Sequence, residues 1–204
     1  MKLYMAPGSC TTGIHILLEE LELSFSAYIV NLPAGDHLKP DYIAINPKST
    51  IPTLVLDDGN ALTDFIAIAY WLARNYPRAR LMPEDVVAAA RVMEVLSYVV
   101  ATVHGQGFAR IFNTGAFATN PSEHDAVKTR GREIVDKAFA VLDAQLRSSG
   151  YVAEHFSIAD PALFYVEFWA DKLGIPMPPK CQAHYALMRS RPVVQRVLRE
   201  EGYR

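Results

Sequence analysis

The chain has 204 residues, half of them apolar, and 20 Lys and Arg stand against 22 Asp and Glu for a net charge of −2. That is enough apolar material for a sizeable core in one domain or two small ones. The near-neutral balance, with no basic stripe or aromatic-basic interleaving, argues against nucleic acid as a partner.

The first part of the chain alternates strand and helix signals. A strand is expected at Leu3–Met5, a helix over 11–22, strands at Phe25–Val30, Thr53–Leu56 and Ala61–Leu62, and a helix from Asp64 to Asn75. Residues 1–76 therefore read as a small α/β domain. The stretch "NYPRARLMPED" has two prolines and no apolar period, which makes 77–85 a linker. Beyond it the apolar spacing is helical throughout, at Val92, Val95, Leu96, Val99 and Val103, at Val135, Ala138, Phe139, Leu142 and Leu146, and at Ala162, Tyr165, Val166, Trp169 and Leu173. Residues 86–204 read as an all-helical domain. "SIAD", 157–160, has the form of a capping box ahead of the last of these three helices.

The N-terminus puts Lys2, Tyr4 and Pro7 where a secretory signal needs an apolar segment, and no window offers about 18 uncharged apolar residues for a membrane span. Two cysteines 171 positions apart form neither a CxxC nor a disulfide framework. The expectation is a cytoplasmic protein with free thiols. The six histidines show no paired spacing with a third ligand, so no metal is expected.

Two segments carry chemistry. In "PGSCTTGIHILLEE" Cys10 directly precedes a helix, whose unpaired first-turn N–H groups and macrodipole favour a thiolate or an anionic ligand. A small buried cysteine in an N-cap turn made by Ser9 or Thr11 is the other role open to it. In "NPKSTIPTLVLDDG" Pro52 opens a strand, where its missing N–H is tolerated. A cis Ile51–Pro52 bond would turn the Ile51 backbone outward to pair with an extended peptide, while a trans bond would leave an ordinary edge strand.

Together with "ALTDFIAIAYWLA", His104 and "YVAEHFSIADPALF", these segments resemble the glutathione transferases, most closely the bacterial beta class. The resemblance covers nearly the whole chain. It implies two domains: a thioredoxin-like α/β domain with a cis-proline that binds glutathione, and a helical bundle that supplies most of the electrophile site. It also implies a homodimer. Position by position, Cys10 matches the cysteine placed against the glutathione sulfur, and Ile51 with Pro52 matches the backbone that pairs with the cysteinyl unit. Asp64 matches the acid that holds the γ-glutamyl ammonium. Phe65 stands where a serine is usual, with loss of its hydroxyl. His104 matches a histidine facing the thiol site, although a backbone-satisfied histidine of the bundle is its other reading. Ser97 is a weaker contact candidate, and Lys39 or His37 would meet the glycyl carboxylate. Tyr98, Phe108, Phe112, Tyr165 and Trp169 are candidates for an apolar electrophile pocket or for plain core. The activity implied is conjugation of glutathione to small hydrophobic electrophiles. Thiol transfer or reductive dehalogenation through Cys10, and a non-catalytic binding protein given Phe65, are the alternatives.

Overall fold

The computed structural model describes residues 1–147 and 150–203, and the chain divides into two compact units. One unit takes Met1–Met82 together with the chain from Met188 onward, and the other takes Pro83–Leu187. The division differs from the sequence-based boundaries at both ends of the helical domain. The linker's "MPED" is cut between Met82 and Pro83, and the last helix joins the first unit; the expected 86–204 span also includes Ser148, Ser149 and Arg204, which lie outside the described residues.

The first unit holds a four-stranded sheet in the order β2-β1-β3-β4. The strands are β1 (Lys2–Met5), β2 (Ser26–Ile29), β3 (Thr53–Val55) and β4 (Ala61–Leu62). β1 is central, with Leu3 and Met5 buried by strand alternation. It pairs parallel to β2 and antiparallel to β3, which pairs antiparallel to β4. A parallel β1-β2 pair needs a crossover, and α1 (Thr11–Glu20) provides it, burying Ile14, Leu17 and Leu18. A one-turn helix α2 (Pro40–Ile43) precedes β3, and α3 (Phe65–Asn75) follows β4. Ile51–Pro52 is cis, as the resemblance implied, and Thr63–Asp64 is a second, non-proline cis bond that the sequence did not announce. The final helix α8 (Pro192–Glu200) packs on α1, flanked by ion pairs from Arg191 to Glu20 at 2.7 Å and from Arg196 to Glu19 at 2.6 Å.

In the second unit the helix expected around 92–103 is one continuous element, α4 (Val86–Phe112), with π-type turns over Val99–Phe108. Asp85 caps it by accepting from the Ala88 N–H at 2.8 Å. Its apolar stretch has a mean hydropathy of 1.8, long and apolar enough by composition to cross a membrane, although Glu94 and Arg110 bound its uncharged run short of 18 residues. The core helix of a soluble protein has the same character. α5 (His124–Gln145) crosses α4 at Gly107 and Gly131. The crossing is close: a Cβ at Gly131 would lie 2.8 Å from the Gly107 carbonyl oxygen and 2.9 Å from Arg110 Cβ. α6 (Ala159–Lys172) is buried from Ala159 to Ala170. The Ser157 N–H donates to the Asp160 carboxylate at 2.6 Å, as in a capping box, whereas the Ser157 hydroxyl donates to the same carboxylate at 2.8 Å and the Asp160 N–H bonds the Ser157 carbonyl instead. Leu173 departs from the expected core stripe and is exposed, because it lies beyond the end of α6. α7 (Pro179–Ser190) follows, and the division between the units falls within it, after Leu187.

Candidate functional site

The turn Pro7–Ser9 delivers the chain from β1 into α1, and Cys10 takes the N-cap position of that helix. Its own side chain makes no cap bond. Ser9 Oγ does so, accepting from the Thr11 N–H at 3.1 Å, and the Thr11 hydroxyl donates back to the Ala6 carbonyl at 2.9 Å. Cys10 is 7% exposed, and its sulfur lies 3.7 Å from the Ile51 carbonyl oxygen. The two chemistry-bearing segments of the sequence thus meet within this unit.

Burial pushes the Cys10 thiol up to about 12, against the opposing pull of the Cys10 and Thr11 N–H groups and the Ser9 side chain. The Asp64 carboxylate adds to the rise. The expectation of a low-pKa thiolate at the helix start is therefore corrected. The helix N–H donors are present, and desolvation outweighs them.

A polar brace that the sequence analysis passed over holds the segment around Pro52. The Tyr42 hydroxyl and the Asn46 amide both donate to the Thr50 carbonyl, at 2.6 and 2.8 Å, and both lie 3.0 Å from the Thr53 hydroxyl. Asn46 also accepts from the Lys48 N–H at 3.0 Å. The Asn-Pro pair was the readable signal, since asparagine side chains bond their own backbone two residues on. The Ile51 N–H meets no hydrogen-bond acceptor among the described residues.

Asp64 sits at the N-cap of α3 with its carboxylate exposed, 3.5 Å from Lys48 Nζ. Lys48 is thus a cation of this region that sequence reasoning missed, although it stands inside the quoted proline motif. The Phe65 side chain is buried, so its bulk is accommodated within the protein, and the position keeps its helix-start N–H while lacking the hydroxyl. Lys39 is ion-paired with Asp36 at 2.6 Å, and Lys39 holds the Asp36 carboxyl below its usual range. His37 Nδ1 is buried with no hydrogen-bond partner among the described residues.

In the helical unit His104 Nδ1 lies 3.3 Å from the Tyr165 hydroxyl, and its ring stands edge-on to Trp169 at 4.9 Å. Burial lowers its pKa to about 4, which leaves a neutral imidazole at pH 7. Phe108, Phe112, Tyr165 and Trp169 close an aromatic cluster around it, with Phe108–Trp169 at 5.3 Å and Phe112–Trp169 at 5.2 Å. Phe108 and Tyr165 are core residues, whereas Phe112 is exposed. Ser97 lies on the exposed face of α4.

Two further groups escaped the sequence analysis. Asp160, Glu167 and His184 form a wholly buried polar cluster, with His184 Nδ1 2.7 Å from Glu167 and Nε2 3.3 Å from Asp160. A lone acid inside "ALFYVEFWA" was its signal. In the first unit His15, Glu19 and Glu200 bring ligand-type atoms within 4.8 Å of one another beside a cavity of about 450 Å³. Their atoms are engaged, Glu19 by Arg196 and His15 Nε2 by Glu200 at 3.3 Å.

Comparison with known proteins bears on the family and the fold. The model of the glutathione S-transferase N-terminal domain matches residues 8–75, and that of the C-terminal domain matches 125–199. Glutathione S-transferase GstA of Escherichia coli O157:H7 is 33% identical, with 99% of both chains covered. A solved glutathione transferase homologue from Sulfitobacter with bound glutathione is 30% identical, with a TM-score of 0.90 over 100% of this chain and 98% of that one. A bacterial beta class glutathione S-transferase from Sphingomonas chungbukensis is 31% identical, with a TM-score of 0.86 over 99% of each chain.

Proposed function

Because the chain belongs to the glutathione S-transferase family, we propose that it conjugates the thiolate of bound glutathione to small hydrophobic electrophiles. The juxtaposition of Cys10 with the Ile51 backbone carries this reading, because it brings a helix N-terminus beside an unpaired main-chain N–H. An extended tripeptide would add to this edge as a strand, with its cysteinyl backbone on Ile51 and Pro52 behind it. Asp64 would take the γ-glutamyl ammonium, and the Phe65 N–H its carboxylate. Of the two candidates for the glycyl carboxylate, His37 is the better supported, since Lys39 is held by Asp36.

In the reaction the glutathione thiol gives up its proton to solvent water, its sulfur forms a bond to the electrophilic carbon, and a leaving group departs with its electron pair or an adjacent multiple bond takes the pair and is protonated by water. First-turn N–H groups favour the sulfur's negative charge, and His104, neutral at pH 7, would add a hydrogen bond rather than a charge. The raised pKa of Cys10 favours conjugation over thiol transfer, because a thiol at about 12 is only about one part in 10⁵ thiolate at pH 7. The aromatic edge at Phe112 supports an apolar electrophile. We further propose a homodimer, supported by the exposed Val86 and Val87 at the head of α4 and Tyr70 on α3, and a cytoplasmic location, supported by the free Cys10 and Cys181.

Glutathione calorimetry, run beside conjugation of a generic aromatic chloride and reduction of a mixed disulfide, tests the reading. Binding with conjugation is expected. Binding with disulfide reduction alone would assign the chemistry to Cys10, and no binding would leave a non-catalytic protein. Light scattering giving a single species of about the 22.7 kDa chain mass would remove the dimer.

A further inference from the structure

We propose that Glu201, just beyond the end of α8, is a positioning residue for Cys10. Its carboxylate is almost wholly buried, with the side chain 1% exposed, and meets three polar groups of the segment that carries the cysteine. The Gly8 N–H donates to Oε2 at 2.7 Å, the Thr12 hydroxyl donates to the same oxygen at 2.6 Å, and His15 Nδ1 lies 2.9 Å from Oε1. Gly8 and Thr12 stand two residues before and two after Cys10. One carboxylate oxygen therefore clasps both flanks of the thiol, and His15 ties the clasp to the next turn of α1.

The surroundings of the clasp are equally specific. Gly8 adopts φ +72°, a conformation that favours glycine, and a Cβ there would collide with the Tyr203 hydroxyl. Tyr203 in turn donates to the Pro7 carbonyl at 3.4 Å, on the other side of the same turn. Arg191 and Arg196 pair with Glu20 and Glu19 along α1, so the segment bearing Glu201 is held in register with the helix it clasps. A carboxylate suits this place, because Oε2 accepts from the Gly8 N–H and the Thr12 hydroxyl together and leaves Oε1 to meet His15 Nδ1.

The inference rests on the reading of Cys10 as the residue at the glutathione sulfur, so its test is made without glutathione. Iodoacetamide is applied at fixed pH, and alkylation of Cys10 and Cys181 is followed separately by peptide mass spectrometry. Glu201→Gln is expected to speed Cys10 alkylation about tenfold, the scale of a lost charge-assisted hydrogen bond, while Cys181 keeps its rate. Thr12→Ala is expected to act in the same direction, and Thr12→Ser, which restores the hydroxyl, to return the wild-type rate. This pair decides the question if Glu201→Gln fails to fold. Cys10 rates within twofold of wild type in these variants, or Cys10 and Cys181 accelerating together as in global loosening, would overturn the proposal. Acceleration of Cys10 alone in a protein that binds no glutathione would leave the positioning role standing and remove the functional reading instead.

Discussion

His184 Nδ1 lies 2.7 Å from Glu167 Oε2, and neither side chain is exposed. Burial works against a charged imidazole, yet Glu167 and Asp160 outweigh it and drive the His184 pKa up, while burial drives Glu167 up as well. A histidine whose folded pKa is raised contributes stability that is fully present below its unfolded value and lost as pH rises through the folded one. His184→Gln is therefore expected to cost about 3–5 kcal/mol near pH 6, the scale for stranding a buried charge. The gap to wild type should narrow between pH 6.5 and about 10. Urea unfolding across that range checks it, and a constant gap would mean that His184 is not charged in the folded protein.

Cys10 should be a slow thiol. With its pKa at about 12, alkylation by iodoacetamide should rise about tenfold per pH unit from pH 7 to pH 10 without levelling. A plateau near neutrality would show that the helix N–H groups prevail over burial after all.

Gly131→Ala should destabilise the helical unit by about 1–3 kcal/mol, because the added methyl meets the Gly107 carbonyl oxygen and Arg110 Cβ, backbone and stem atoms that move only with their helix. Thermal unfolding reads the effect. Glutathione affinity should be unchanged, since the crossing lies within the helical unit.

Phe65→Ser restores the hydroxyl usual at that position and should tighten glutathione binding about ten- to a hundredfold. The same change empties a buried ring site and should cost stability, on the scale of about 3–5 kcal/mol for large core truncations. Calorimetry beside thermal unfolding separates the two. Unchanged affinity would mean that another group already meets the γ-glutamyl carboxylate.

What was legible in the sequence was local. The alternation of Leu3 and Met5, the helix start at Thr11 and the capping box at Ser157 are all encoded within a few residues, and the structure has each of them. The Cys10 pKa was misjudged because the N–H donors that lower it are neighbours in sequence, whereas the burial that raises it comes from residues far along the chain. The partners of Glu201 escaped for the same reason. "PVVQRVLREEGYR" reads as an ordinary amphipathic helix end, and nothing in it points to Gly8, some 190 positions away. Leu173 failed differently: its spacing continued the stripe of α6 past the point where the helix stops.

Because α8 and Glu201 belong to the same compact unit as β1 and α1, that unit is assembled from two stretches of sequence separated by the whole helical unit. During synthesis residues 1–82 leave the ribosome with one side of α1 uncovered, and the helix that covers it is translated only after the whole helical unit. The helical unit, contiguous from Pro83 to Leu187, has all its residues available earlier. Domains generally mature in the order in which they are synthesised. Here that order is reversed for one step: the unit begun first is completed only when α8 arrives, after the helical unit has been made, so a chain cut short before Pro192 would damage the first unit begun rather than the second.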